Sequence, residues 1–207
     1  MKELIILAEK IKDKQLKEKV IDFIKNPVLT HKDFKKYPKE DIEKVKTPFS
    51  VGGGMVERDL LNHTIAVTDL CIRTADNIEE HYGVKINKDH LIAGALLHDM
   101  MKMFEWKIGE SGTEPTGILL DHSMLAVAEF YYRGFPENVI HIIASHFGET
   151  GQTPPRNYEA LILHYVDTLL SLTEFHLYGA KQQNPMQLLV LDEEMIKKMK
   201  KEIEKGS

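Results

Sequence analysis

The chain has 207 residues, 43% of them hydrophobic, and a formal net charge of −5. That is enough for one sizeable core, and the composition of an ordinary globular protein excludes wholesale disorder. No apolar run reaches the ~20 residues of a membrane span, Met1-Lys2-Glu3 carries an acid where a secretory signal would be basic, and the single Cys71 cannot form an intrachain disulfide. The reading is a cytoplasmic protein with no membrane partner. The acidic balance makes nucleic acid, held largely through phosphate contacts, the less favoured partner.

In chain order, Leu4, Leu7, Ala8 and Ile11, then Leu16, Val20, Phe23 and Ile24, predict an amphipathic helix over 3–25 that stops at Asn26-Pro27. Residues 31–56 hold Pro38, Pro48 and Gly52-Gly53-Gly54 and read as an irregular strap. No Gly-Lys-Ser/Thr follows the glycines, so a P-loop is not supported. A helix is expected over 57–82, capped by Gly83, and a second over 88–101, ending in Leu97-His98-Asp99-Met100-Met101-Lys102. Gly109, Gly112, Pro115 and Gly117 make 104–117 a loop, with a short hairpin as the alternative. Further helices are expected at 118–133, 137–146, 158–178 and 192–205, with stops at Gly134 and Gly179. No convincing run of strands appears, so the fold class is all-α.

The chain has ten histidines. A lone helical histidine is more often a hydrogen-bonded core or surface residue than a ligand, and His31, His81, His90, His141, His164 and His176 are read that way. His164, one turn before Asp167, is also placed to support a neighbouring ligand. His98-Asp99 differs, because it ends the apolar run Leu91–Leu97 and carries two polar groups to the core. A charge buried there is costly unless it is paired or binds a metal. Imidazole and carboxylate together are ordinary ligands of transition metals. His63, His122, His146 and Asp167 extend the pattern. The steps from His63 to His98, His122, His146 and Asp167 are 35, 24, 24 and 21 residues. Each is about one helix and one loop, as in a bundle with an inward-facing cluster.

The stretches Leu61-Asn62-His63-Thr64, Leu97-His98-Asp99, Leu120-Asp121-His122-Ser123, Ala144-Ser145-His146 and Tyr165-Val166-Asp167 carry a resemblance to the HD-domain metal-dependent phosphohydrolases. The presence of His122 and His146 is similar to the two-metal branch. The resemblance implies one HD-type domain over 1–207: a helical bundle with an N-terminal helix and a strap, and a metal-binding core at about 55–178. It implies two divalent ions, Fe(II) or Mn(II) first and Zn, Ni, Co or Mg as alternatives. His63, His98, Asp99 and Asp167 would hold one ion, and Asp99, His122 and His146 the other. The implied activity is phosphodiester hydrolysis of a small, cyclic phosphate ester by a metal-activated hydroxide, with Asp99 and Lys102 in catalysis and homo-oligomerisation open. The whole-chain layout is similar to the archaeal HD phosphodiesterases of pterin biosynthesis, which open dihydroneopterin 2′,3′-cyclic phosphate with ferrous iron. Residues Ser145–Glu149 and Glu159–Asp167 also resemble the HD domain of bacterial 3′–5′ exoribonucleases, so exoribonuclease or nucleotide phosphohydrolase action is the alternative.

Lys102, three residues after Asp99, is read as a phosphate contact or as a solvated lysine at a helix end. Arg58, with Glu57, is placed about one turn before His63 as a weaker phosphate candidate. Trp106, with Phe104 and Tyr165 beside it as options, is a candidate to stack on a flat head group, although such aromatics more often simply pack.

Overall fold

Seven consecutive residues, Leu91–Leu97, are buried on every side. A helix apolar all round has no solvent face, so it must run through the middle of the structure. This is α4 (Lys88–Leu97), and α1, α2, α3, α7 and α8 all pack on it. In the computed structural model, which describes residues 1–51 and 54–181, the surrounding helices are α1 (Lys2–Ala8), α2 (Lys14–Lys25), α3 (Leu60–Tyr82), α5 (Lys102–Glu105), α6 (His122–Tyr132), α7 (Glu137–Ala144) and α8 (Tyr158–Lys181). The helix expected over 192–205, and Gly52-Gly53 of the glycine run, lie outside the described residues. The buried side chains form two clusters. One joins α1, α2 and α6 to α4, with Phe23 edge-on to Phe130 at 4.9 Å. The other lies among α3, α4, α7 and α8. Among the described residues no helix is long and apolar enough to cross a membrane.

The caps are written in the sequence. Asp13, Asp59, Asn87 and Asp121 each accept a hydrogen bond from a backbone N–H three residues on, at 2.7–3.1 Å. These caps correct the expected boundaries. The helix expected over 3–25 is two helices. The step from Ile11 to Leu16 is five residues, which breaks the helical period, and Asp13 starts a new helix there. The break is bridged by Asp89, whose carboxylate accepts from the N–H groups of Lys12 and Asp13 at 2.9 and 2.8 Å. The helix expected from 57 starts at Leu60. The one expected from 118 starts at His122. The last described helix runs through Gly179 to Lys181 rather than stopping there.

The strap contains two strands that the sequence reading missed, and the loop contains two more. β1 (Lys46–Phe49) pairs antiparallel with β2 (Val56–Asp59), which leads directly into α3. β3 (Trp106–Gly109) and β4 (Gly112–Pro115) form the hairpin held open as an alternative. Arg58 is therefore on a strand, opposite Thr47, and not on a helical turn before His63. Alternation along β2 buries Val56 and Arg58 and exposes Glu57.

Candidate metal centre

Four of the six residues singled out as metal ligands sit at or just beyond helix ends. His98 is the C-cap of α4 and Asp99 follows it, so the apolar helix delivers both to the interior. His122 is the first residue of α6, placed there by the Asp121 cap. His146 lies two residues beyond α7. His63 lies in the first turn of α3 and Asp167 in the middle of α8.

The structure brings them together. His63, His98 and Asp99 offer ligand atoms all within 4.8 Å of one another, and so do Asp99, His122 and His146, with Asp99 common to both groups. Asp167 joins through Oδ1, 3.0 Å from His63 Nε2. His122 Nε2 and His146 Nε2 are 3.3 Å apart, and His122 Nε2 is also 3.3 Å from Asp99 Oδ1.

The orientation of the rings explains the convergence. His98 Nδ1–H donates to the Ala95 carbonyl at 2.8 Å and His146 Nδ1–H to that of Ile143 at 2.7 Å. His63 Nδ1 faces the Glu174 carboxylate at 3.1 Å, and His122 Nδ1 faces Glu105 at 3.1 Å. With Nδ1 committed four times to an outer acceptor, four Nε2 atoms point inward. This is the arrangement by which metal-bound imidazoles are oriented. His63 Nε2, His98 Nε2 and Asp99 Oδ1 are buried without a well-formed hydrogen bond. Buried polar atoms are costly unless satisfied, and a divalent cation would satisfy all three. The donor set fits such an ion.

Electrostatics agree with the fit at His98, His146, Asp99 and Asp167. Burial lowers the pKa of His98 and pushes that of His146 down to about 3, so both rings are neutral and can ligate. Burial works against ionised Asp99, but Lys102 and His122 outweigh it and hold its carboxyl well below the usual range. Burial works against ionised Asp167 too, but its close contact with His63 outweighs it and holds the carboxyl well below the usual range. Burial lowers His63, and burial with the Lys102 charge lowers His122. Hydrogen bonds to Asp167 and Glu174, and to Asp99 and Glu105, leave both pKa values raised.

Two cations border the cluster. Lys102 Nζ lies 2.8 Å from Asp99 Oδ2, and the Arg58 guanidinium 2.9 Å from the same oxygen. Arg58 is 4% exposed, donates to Ser171 Oγ at 2.7 Å, and lies over the Phe49 ring at 4.7 Å. Trp106 begins β3 opposite Pro115 and is half-buried against the larger core cluster, while Phe104 is inside that cluster. Tyr165 is exposed and meets the His164 ring at 4.7 Å with the planes tilted by 57°. His164 itself donates from Nδ1 to the His146 carbonyl at 2.8 Å, a support for the ligand beside it.

Glu105, Glu174 and Ser171 were not singled out from sequence. Asp167, Ser171 and Glu174 fall at i, i+4 and i+7 of one helix, so a single polar face of α8 was readable. Glu105 had no such signal, because it ends a four-residue helix and lies 17 positions before His122, with the β3–β4 hairpin between them.

An all-helical bundle whose helix ends deliver histidines and aspartates to one buried point is, by its fold and site, a metal-site protein of hydrolase type. Residues 60–172, more than half the chain, match the HD domain model, and the chain belongs to that family. Over 170 residues it is 46% identical to a dihydroneopterin 2′,3′-cyclic phosphate phosphodiesterase of Methanocaldococcus jannaschii, the match covering 81% of this chain and 67% of that relative. No solved structure matches the chain.

Proposed function

We propose that the chain is a two-metal phosphodiesterase that opens a small cyclic phosphate ester, 7,8-dihydroneopterin 2′,3′-cyclic phosphate above others. The observation that carries the chemistry is the convergence of four inward Nε2 atoms on the shared Asp99. The substrate rests on the 46% identical relative, whose name states that activity. In this reading His63, His98, Asp99 and Asp167 hold one divalent ion, and Asp99, His122 and His146 the second. Such ions, Fe(II) or Mn(II) first, lower the pKa of water and neutralise phosphate charge.

The chain's own residues do the rest. Glu174, Glu105 and the Ala95 and Ile143 carbonyls fix the imidazole rings, so the donor set is organised before substrate arrives. In this reading Lys102, beside Asp99 Oδ2, takes a non-bridging phosphate oxygen as a point charge, while Arg58, its guanidinium shared among Asp99, Glu174 and Ser171, holds those acceptors in place. A five-membered cyclic phosphate is already strained, so charge neutralisation and a positioned nucleophile suffice. Work on a small soluble metabolite agrees with a cytoplasmic setting.

The test is a comparison of kcat/KM for dihydroneopterin cyclic phosphate, 2′,3′-cyclic nucleotides and a short single-stranded RNA, run anaerobically with Fe(II), Mn(II), Zn(II), Ni(II), Co(II) and Mg(II). The pterin diester should rank first, and RNA should be degraded poorly because the acidic surface repels a polyanion. If the RNA is shortened from its 3′ end while the cyclic phosphates are ignored, the exoribonuclease reading replaces this one.

A further inference from the structure

Residue 147 follows directly on His146 and is a phenylalanine with 42% of its surface exposed. A single exposed aromatic is unremarkable in itself. This one, however, overlaps the His146 imidazole at 4.2 Å between centroids and 33° between planes, and meets the His122 ring edge-on at 5.4 Å. Both imidazoles belong to the metal centre. The phenyl ring thus covers the outer side of two candidate ligands and presents its remaining surface to solvent.

The backbone that carries it is fixed from several sides. The His146 carbonyl accepts from His164 Nδ1 at 2.8 Å, the Phe147 carbonyl accepts from Thr150 Oγ1 at 2.8 Å, and Gly148 N–H donates to Ser145 O at 2.9 Å. Gly148 has φ +60°, and the His164 ring fills the space that a Cβ there would need. A side chain with only two rotatable bonds on so constrained a backbone gives flat contact area at low entropic cost. The other aromatics considered are less well placed. Phe104 is buried, Trp106 packs on the core, and Tyr165 lies against His164 rather than against a candidate ligand.

We propose that Phe147 is the platform on which the planar head group of the substrate stacks while its phosphate sits at the metal centre. This rests on the cyclic phosphodiesterase reading and makes Phe147 a specificity-determining residue for it. In a pterin 2′,3′-cyclic phosphate one carbon separates the flat ring from the dioxaphospholane, so phosphate and ring must be recognised close together. Phe147, in contact with His146 and His122, offers that short reach.

The experiment measures kcat/KM of the metal-loaded wild type, Phe147→Ala and Phe147→Trp on three five-membered cyclic phosphates: the dihydroneopterin diester, a 2′,3′-cyclic nucleotide and ringless glycerol 1,2-cyclic phosphate. Binding of neopterin monophosphate is followed by its own fluorescence, and ion content is assayed in each variant. In Phe147→Ala the ratio of ring-bearing to ringless kcat/KM should fall about tenfold or more, mostly through KM, and neopterin monophosphate should bind correspondingly more weakly. Phe147→Trp should restore both, with ion content the same in all three proteins. A ratio equal to wild type in Phe147→Ala overturns the platform, and failure of the wild type to bind neopterin monophosphate saturably overturns the pterin as its occupant. If the nucleotide outranks the pterin while the ratio still follows residue 147, the platform stands and the pterin assignment fails.

Discussion

His63 and His122 are gripped through Nδ1 by carboxylates, Glu174 and Glu105, whereas His98 and His146 are gripped by backbone carbonyls of their own helices. The first two supports can be removed by substitution, the last two only by unfolding the helix end. Glu174→Gln and Glu105→Gln should therefore each weaken metal affinity, by about 10–100-fold, since partners of this kind set ring orientation and basicity. Competition against a chelator of known affinity checks this, and an unchanged affinity in both variants would mean that the carboxylates serve only packing. The six candidate ligands were legible because each helix carries one or two of them at regular steps. The carboxylates behind them were not, because an outer partner needs only to reach a ring nitrogen and can come from any element. Phe147 escaped notice because nothing in a sequence separates an exposed phenylalanine from a buried one.

At the scale of elements, α4 fixes the geometry, and it packs tightly on α7 at Gly94. A Cβ built on Gly94 would collide with the Ile142 side chain, which sits directly over that turn. Gly94→Ala therefore gains helix propensity but overpacks the contact, and it should destabilise the fold by about 1–3 kcal/mol. Denaturant unfolding should show a lower midpoint with an unchanged slope. A midpoint at or above wild type would mean that α7 moves away freely. The helices were readable from period and caps. The β3–β4 hairpin was readable only as an option, from its glycines, and the β1–β2 ribbon was not readable, since four-residue strands are too short to show an alternation and Pro48 in β1 argues against a strand. The split of the first helix was readable in principle from the five-residue step at Ile11. That step misled because apolar residues of the right kind continue on the far side of it.

Taken as a whole molecule, the two apolar clusters are built from side chains other than the candidate ligands. The fold should therefore persist without metal. Chelation should leave the helical circular dichroism intact while lowering the melting temperature, because an ion that binds only the folded state adds stability by mass action. Global loss of helix on chelation would show instead that the centre holds the bundle together. The all-α class and the family were legible from the order His, His-Asp, His, His, Asp, whereas the choice of head group depends on exposed surface that order does not describe. The central claim is one centre with two ions that share Asp99, and counting ions tests it most directly. After anaerobic reconstitution with excess Fe(II) or Mn(II) and desalting, the wild type should carry two ions per chain. His122→Ala and His146→Ala should carry about one, and Asp99→Ala close to none, by loss of ligands common to both sites. A firm plateau at one ion in the wild type, unchanged in His122→Ala and His146→Ala, would contradict the account.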